Sequence, residues 1–188
     1  DVGIRTVAAA VSGGADSTAL AAALASYCRA HGHRLVLCHY NHRLRSPEAH
    51  EADREKVDNL ADALEAPLLV GGAESGQIRR LARRERSGLE AAARAKRYQF
   101  FQNVARVSGA SWLCTGHTED DQAETVLLAL ERGVGDLGLA GIPRARLLRP
   151  GCLVVRPLLH VRRSQIVTYL RERGFSWSED ETNAGVSQ

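Results

Sequence analysis

A six-residue stretch near the start of the chain, Ser12-Gly13-Gly14-Ala15-Asp16-Ser17, carries residue types suited to binding phosphate. Glycines let the backbone approach an anion closely, while serine hydroxyls and the first N–H groups of a following helix can donate hydrogen bonds. The Asp16 carboxylate would repel phosphate unless a cation lay between them. The stretch therefore predicts a polyphosphate site in which Asp16 binds Mg2+. An ordinary helix N-cap is the alternative.

A second polar stretch, His39-Tyr40-Asn41-His42-Arg43-Leu44-Arg45, lies at the end of the strand predicted for Leu35 to Tyr40. Imidazoles and guanidiniums at a strand end can contact phosphates or a ribose. We therefore predict that His39 and Asn41 bind a nucleotide. The alternative is that these residues only shape the turn before Pro47.

A third stretch places charged residues on one face of a predicted helix, because Glu90, Arg94 and Arg97 are spaced by four and three residues. Alanines between them indicate close packing, and guanidiniums held by packing are suited to clamping phosphate. We predict that Arg97 binds phosphate and that Arg94 acts in catalysis. An exposed, salt-bridged helix is the alternative.

The fourth stretch, His117-Thr118-Glu119-Asp120-Asp121-Gln122-Ala123-Glu124-Thr125, brings four acids into six residues at a predicted helix start. Asp120 and Glu124 share a helix face, so they can bind Mg2+ or the ammonium group of an amine substrate. Asp121 is suited to cap the helix or to bind the metal. We predict catalytic roles for His117, Asp120 and Glu124. An acidic helix N-terminus without a ligand is the alternative.

The same helix carries apolar residues that predict its buried side. Val126, Leu127 and Leu130 are expected to face the core. Residues 132–143 are rich in glycine, which predicts that the helix ends in a loop outside the core.

These stretches require a scaffold that brings them together. Apolar runs typical of strands cover Thr6 to Val11, Leu35 to Tyr40, Pro67 to Val70, Trp112 to Thr115 and Cys152 to Arg156, and helical patterns cover 17–31, 47–65, 88–108, 120–132 and 162–173. The alternation predicts an α/β fold, a Rossmann-like parallel sheet flanked by helices on both faces. The polar stretches would then meet at the carboxyl ends of the strands. Residues 71–88 are predicted to be a flexible excursion.

Composition bounds the class of protein. A chain of 188 residues with 44% hydrophobic content can bury one core, which predicts a single domain over residues 1–188. No apolar run reaches the roughly 20 residues of a membrane span, and no signal-peptide pattern is present, so we expect a cytoplasmic protein without a membrane partner. The four cysteines form no C-x-x-C pair and are expected to be buried thiols.

Charge is unevenly distributed along the chain. Residues 79–106 hold nine Arg or Lys against two acids, and residues 141–173 hold eight Arg against one. If these basic regions share a face, they form a footprint for a polyanion such as RNA. The alternative is that arginine is simply abundant in this chain, which has 23 Arg and two Lys.

The motifs resemble those of a known family. The first stretch resembles the SGGxDS signature of the pyrophosphate-loop ATPases, which cleave ATP between its α and β phosphates. The four stretches in this order resemble the N-terminal catalytic domain of tRNA(Ile)-lysidine synthetase over nearly the whole chain. That family's V-D/N-H-x-L-R, E-A-x-A-R-x-x-R-Y, H-H-x-D-D-Q-x-E-T and R-G-x-G-x-x-G-L-x-G motifs match Asn41 to Arg45, Glu90 to Tyr98, His117 to Thr125 and Arg132 to Gly141. Arg156 to Leu159 and Trp177 to Asn183 resemble its later motifs, whereas Thr118 stands where the family often has a second His.

The resemblance implies an adenine nucleotide alpha hydrolase-like fold and an enzyme that uses ATP and Mg2+. It implies that free L-lysine is ligated to C2 of the wobble cytidine of isoleucine tRNA with a CAU anticodon, through an adenylated cytidine. In that scheme residues 12–17 bind the phosphates of ATP. The resemblance also suggests a homodimer, and it implies that the tRNA-binding C-terminal domains of the family are absent from this chain.

Two other functions remain as alternatives. A tRNA thiolase of the same superfamily shares the SGGxDS signature but needs cysteine pairs for sulfur or a cluster. A non-catalytic tRNA-binding module would use the basic regions without the acids, so the presence of Asp16, Arg94, Asp120 and Glu124 argues against it.

Overall fold

A computed structural model describes residues 3–133 and 140–178. These residues form six strands, which are β1 (Thr6–Ala10), β2 (Arg34–Asn41), β3 (Leu68–Gly72), β4 (Ala110–Cys114), β5 (Ala145–Arg149) and β6 (Cys152–Val155). They also form six helices, which are α1 (Ala15–His31), α2 (Pro47–Ala63), α3 (Gln77–Glu85), α4 (Leu89–Ser108), α5 (Glu119–Glu131) and α6 (Arg163–Glu172). Part of the predicted glycine-rich loop, 134–139, and the end of the Trp177 to Asn183 stretch lie outside the described residues.

The strands form one sheet in the order β3-β2-β1-β4-β6-β5, and the first five strands of that order are parallel. Leu20 and Ala21 of α1 and Val57 of α2 are buried against one face of this sheet, and Phe101 and Val104 of α4 pack against the other. Both faces of the sheet are therefore covered, as parallel sheets require. The predicted α/β fold with helices on both faces is confirmed.

Two elements differ from the prediction. Strand β5 pairs antiparallel with β6 and makes the sheet mixed, because the short turn between Arg149 and Cys152 allows only a hairpin. The predicted flexible excursion contains helix α3. Ile78 and Ala82, four residues apart, are buried against Ala92 and Ala93 of α4, and this small apolar contact orders a helix that is otherwise rich in arginine.

The prediction that Val126, Leu127 and Leu130 of α5 face the core was wrong. Leu127 and Leu130 are 60% and 54% exposed, and none of the described residues of α5 is fully buried. The side that faces the protein is polar: Asp121 bonds to Thr118, and the Gln122 amide oxygen accepts the Ile142 N–H at 2.7 Å. Hydrogen bonds, rather than leucine packing, therefore orient α5.

Among the described residues, no helix is long and apolar enough to cross a membrane. All four cysteines are buried and free, as predicted.

Candidate active site

The loop between β1 and α1 is held in one conformation by its own hydroxyl groups. The Ser17 hydroxyl accepts the Ser12 N–H at 3.1 Å and lies 3.1 Å from the Ser12 hydroxyl. Gly13 has a φ of +93°, a conformation that favours glycine, and Gly14 is the N-cap of α1 without a side-chain cap. The first N–H groups of α1 are therefore available to an anion at the mouth of this loop. We call residues 12–17 the phosphate loop.

A carboxylate supports the phosphate loop from behind. Asp53 of α2 is buried, bonds to Arg45 and accepts the Ser178 hydroxyl at 3.3 Å. Ser178 in turn donates its backbone N–H to the Gly13 carbonyl at 2.8 Å. The segment after α6 thus closes the back of the phosphate loop, leaving its other side open to a ligand.

The loop after β4 lies directly against the phosphate loop. A side chain added at Gly116 would come within 3.1 Å of the Asp16 carbonyl and 3.2 Å of the Ser17 nitrogen. Strands β1 and β4 are neighbours in the sheet, so their carboxyl ends place the first and fourth polar stretches side by side.

A cavity of about 320 Å³ opens over these strand ends. All four polar stretches contribute to its wall, which includes Ser12, Asp16 and Ser17 of the phosphate loop, Tyr40 and His42, Arg97, Tyr98 and Phe101 of α4, and Gly116, His117 and Asp121. The cavity therefore combines hydrogen-bond donors for phosphate with aromatic rings suited to a base or ribose.

Strand alternation decides which residues of the second stretch reach the cavity. Cys38, Tyr40 and His42 line it, being two residues apart. His39 and Asn41 point elsewhere: the His39 Nδ1 lies 2.9 Å from the Val11 carbonyl, and the Asn41 amide oxygen accepts the Arg43 N–H at 2.8 Å. The two predicted nucleotide-binding residues of this stretch are not brought to the cavity wall by their side chains.

Arg97 lies at the cavity wall with an unmatched charge. Its Nε is buried and has no hydrogen-bond partner among the described residues, and no described carboxylate forms an ion pair with it. Burial lowers the pKa of Arg97, and nearby Arg94 lowers it too. A half-buried guanidinium whose Nε lacks a partner is suited to binding an anion such as phosphate.

The two imidazoles of the cavity are neutral near pH 7. Burial, together with Arg97, lowers the pKa of His42 to about 4. Burial, together with Arg156, also lowers the pKa of His117 to about 4, and its Nδ1 lies 2.9 Å from the Thr115 hydroxyl. Each ring can therefore offer a hydrogen-bond acceptor to a ligand at neutral pH.

Arg94 is directed away from the cavity and onto Tyr98. Its guanidinium carbon is 5.0 Å from the Tyr98 ring centre, and that of Arg146 is 4.2 Å from it. Burial raises the pKa of Tyr98, but the hydrogen bond from Arg146 and the charge of Arg94 outweigh burial and lower it. Arg156, which is 3% exposed, donates to the Pro143 carbonyl nearby. Two guanidiniums thus lie on Tyr98, on the side of this ring outside the cavity.

The structure separates the acids of the fourth stretch. The Asp121 carboxylate reaches the cavity while accepting the Thr118 N–H at 2.7 Å, so it caps α5 as predicted. Asp120 is directed to α6, where it accepts the Arg163 N–H at 2.8 Å. Glu124 is exposed. Asp120 and Glu124 therefore do not lie on the cavity wall with His117.

The acids at the cavity fit a magnesium ion that is bound mainly through a nucleotide. Asp16 Oδ2 is 3.6 Å from Arg163 Nη1, and the Asp16 side chain is 24% exposed at the cavity wall. Within the described ranges no group of three or more His, Cys, Asp or Glu is arranged to hold a metal. One or two carboxylates plus phosphate oxygens is the ligand set that Mg2+ commonly uses in nucleotide sites.

Several cavity residues stand in or next to the stretches identified from the sequence but were not predicted individually as site residues. Tyr40 and His42 would have followed from alternation along β2, and Tyr98 and Phe101 from their position next to Arg97 and one turn beyond it on α4.

A phosphate loop between the first strand of a parallel sheet and its helix, facing a cavity at the strand ends, defines a nucleotide-binding α/β domain. Comparison with known families identifies which one: the chain belongs to the PP-loop domain family, whose model matches residues 1–187.

Curated relatives share one name. The chain is 40% identical over 181 residues to the tRNA(Ile)-lysidine synthase of Geobacter sulfurreducens, covering 96% of this chain and 37% of that protein. It is 43% identical over 175 residues to the synthase of the same name from Thermus thermophilus, covering 93% and 31%. The resemblance inferred from the motifs is confirmed. The chain spans about a third of the length of these relatives.

Solved structures of lower identity share the fold. The U34-tRNA thiolase NcsA from Methanococcus maripaludis superposes with a TM-score of 0.74 at 17% identity, covering 98% of this chain and 61% of that one. An NH3-dependent NAD synthetase from Campylobacter jejuni gives a TM-score of 0.55 at 16% identity, covering 90% and 64%. At these identities the similarity shows a shared fold and does not indicate a shared function.

Proposed function

We propose that this chain is the catalytic domain of an enzyme that ligates L-lysine to C2 of the wobble cytidine of isoleucine tRNA with a CAU anticodon. The observation that carries the proposal is the single cavity in which the phosphate loop, Arg97 and His117 meet. The shared name of the curated relatives supports the choice of RNA and amine.

In the first step, O2 of the cytosine attacks the α phosphorus of ATP. A new oxygen–phosphorus bond forms, the bond to the bridging oxygen breaks, and pyrophosphate leaves with its electron pair. Negative charge grows on the phosphate oxygens, so positioning and charge stabilisation carry the catalysis. In the second step the neutral ε-amine of lysine attacks C2 of the adenylated cytidine and a carbon–nitrogen bond forms. The C2–O2 bond breaks, AMP departs with that oxygen and the electron pair, and the attacking nitrogen loses a proton to solvent.

The phosphate loop supplies the donors for the β and γ phosphates. Ser12 and Ser17 line the cavity, and the N–H groups at the start of α1, where the helix dipole also favours an anion, are proposed to bind the same phosphates. Arg97 is the cation best placed for the reacting phosphate, because its buried Nε lacks a partner among the described residues. A bound anion would satisfy that group.

Magnesium bound with ATP would supply charge neutralisation to the phosphates. Asp16 is the first candidate to hold it, and Asp121 is the second, since both carboxylates reach the cavity wall. The Asp121 oxygen that bonds to Thr118 keeps that carboxylate oriented toward the same space.

The residues for the second step remain the sequence-based candidates. His117 can accept a hydrogen bond from the amine or the base with its neutral imidazole. Asp120 and Glu124 are proposed to attract the lysine ammonium before it loses its proton. Arg94 is proposed to contact the RNA or ATP phosphates from the Tyr98 side of the cavity.

We further propose that the domain works in the cytoplasm, that it forms or joins a homodimer, and that tRNA-binding domains complete it. The curated relatives are longer than this chain, since the chain covers 31–46% of those compared.

A thiolase activity has less support. The four cysteines lie in separate elements or loops, and burial raises the pKa of Cys28, Cys38, Cys114 and Cys152. A thiol with a raised pKa is a weak nucleophile near neutral pH.

The test is incorporation of labelled lysine into isoleucine tRNA with a CAU anticodon, in the presence of ATP and Mg2+. The chain is compared with a version extended at its C-terminus by the domains of a relative. We expect label in the tRNA with at least one of them. Absence of label with both, while pyrophosphate is still released on adding another tRNA, would contradict the proposal.

A variant pair sharpens the test of the first step. Asp16→Asn should reduce pyrophosphate release by about a hundredfold if the carboxylate holds Mg2+. Arg163→Gln removes the guanidinium 3.6 Å from Asp16 and retains the carboxylate, so it is the matched control. Equal rates for Asp16→Asn and the parent chain would remove the metal role of Asp16.

A further inference from the structure

A second groove opens beside the nucleotide cavity. Its volume is about 290 Å³, and His42 lines both the groove and the cavity, so the two spaces adjoin. Arg43 and Leu44 of the loop after β2 form one side, and Gly76 and Arg79 at the start of α3 form the other. A chain-like ligand that enters the cavity can therefore continue along this groove.

Helix α3 holds its arginines at fixed positions. Ile78 and Ala82 are 2% and 9% exposed and pack against Ala92 of α4. The buried side sets the rotation of the helix, so the opposite side faces solvent. The outward side carries Arg79, Arg80, Arg83 and Arg84, all exposed.

The outward arginines form two rows that differ in whether a carboxylate lies close to them. Arg80 lies 3.9 Å from the Glu74 carboxylate and Arg84 lies 3.3 Å from that of Glu85. Arg79 and Arg83, four residues apart, form the row that begins at the groove.

The charge of this second row is not compensated locally. Arg43, Arg79 and Arg83 have no ion pair with any carboxylate in the part of the chain that the structure describes. Positive charge is therefore concentrated on the side of α3 next to the groove.

We propose that the groove and the row of Arg79 and Arg83 form the docking surface for the phosphate backbone of the RNA strand that flanks the reacting nucleotide. The proposal rests on the proposed function. A concave, basic surface that runs into a nucleotide-sized cavity matches a single strand, whose phosphates follow the groove while one base enters the cavity. In this arrangement Arg43 binds a phosphate near the cavity, and Arg79 and Arg83 of α3 bind phosphates farther along the strand.

The experiment measures binding of a fluorescent RNA stem-loop, the anticodon arm of isoleucine tRNA, to the whole chain by anisotropy. The double variant Arg79→Gln/Arg83→Gln is compared with Arg80→Gln/Arg84→Gln, which removes the same charge from the same helix. We expect the first variant to bind the RNA about tenfold more weakly. The slope of log K against log salt concentration should become less steep by about 0.7 for each phosphate contact that is lost. The second should change the affinity by about twofold or less.

Four outcomes would overturn the proposal. Equal losses in the two variants would indicate a general effect of net charge. Unchanged RNA affinity of Arg79→Gln/Arg83→Gln, or no RNA binding by the parent chain at low salt, would remove the docking surface. A loss of binding to anionic lipid vesicles with RNA binding retained would assign the surface to a membrane instead.

The docking surface and the proposed function can fail separately. A stem-loop with uridine at the wobble position has the same phosphates but cannot be converted, so it reports on docking alone. Weaker binding of this RNA to Arg79→Gln/Arg83→Gln, without lysine incorporation into the cytidine form, would contradict the reaction and support the docking surface.

Discussion

Ser178 donates its backbone N–H to the Gly13 carbonyl at 2.8 Å, which ties the segment after α6 to the phosphate loop. The same residue donates its hydroxyl to Asp53, the buried carboxylate that also binds Arg45. Three parts of the chain that are distant in sequence thus meet behind the loop.

Replacement of Asp53 by alanine tests this support. Without the carboxylate the Ser178 hydroxyl and Arg45 lose their acceptor, so we expect the free energy of unfolding to fall by about 1–2 kcal/mol and KM for ATP to rise. Asp58→Ala removes an exposed partner of Arg54 on the same helix and should cost about 0.5 kcal/mol or less. Urea unfolding measures the free energy of unfolding, and the rate of pyrophosphate release as a function of ATP concentration measures KM. Equal destabilisation by the two substitutions would contradict this role.

Arg97→Met should separate activity from stability. The substitution removes the cation proposed to contact phosphate, so pyrophosphate release should fall by about two orders of magnitude. It also removes a half-buried charge without an ion pair among the described residues, so the free energy of unfolding should rise by about 1 kcal/mol. Arg106→Met, at an exposed position of α4, is the control for both measurements. A large loss of stability in Arg97→Met would instead assign the arginine a structural role.

Protonation of His42 and His117 should lower the free energy of unfolding at acidic pH. Their pKa values near 4 lie below the value of about 6.5 for an unfolded histidine, so between these pH values the unfolded chain binds more protons than the folded chain. Stability is therefore expected to be full above about pH 6.5 and to fall as the pH drops toward 4. The urea midpoint as a function of pH measures this.

The His42→Gln and His117→Gln variants should each show a shallower loss of stability over the same pH interval. His160→Gln, at an exposed position, should follow the parent curve. A parent curve that is flat from pH 6.5 to 4 would show that these imidazoles do not resist protonation in the folded chain.

The acids at the start of α5 should respond differently to substitution. Asp120 accepts the Arg163 N–H at the first turn of α6, so Asp120→Ala should lower the free energy of unfolding by about 1 kcal/mol, as the loss of a helix cap does.

Glu124→Ala, at an exposed position, should leave the free energy of unfolding within about 0.5 kcal/mol of the parent value and raise KM for lysine if the ammonium proposal is right. Glu131→Ala on the same helix is the control. Unchanged use of lysine by Glu124→Ala would remove that residue from the proposed lysine site.

The fold class and the position of the phosphate loop could be predicted from the sequence alone. Local patterns suffice for both: the apolar run before Ser12 predicts a strand, and the glycines and hydroxyls after it predict an anion site at a helix start. The parallel order of the strands then brings the polar stretches to one edge whatever the details of packing.

The tertiary structure alone decided which side chains reach the cavity. Asp120 and Glu124 share a helix face in sequence, yet the rotation of α5 is set by the Gln122 and Asp121 hydrogen bonds, which direct Asp120 to α6 and leave the leucines exposed. The arginine-rich excursion became helix α3 because two small apolar side chains find a partner surface on α4. Such contacts join residues that are distant along the chain, and no local pattern encodes which partners they will have.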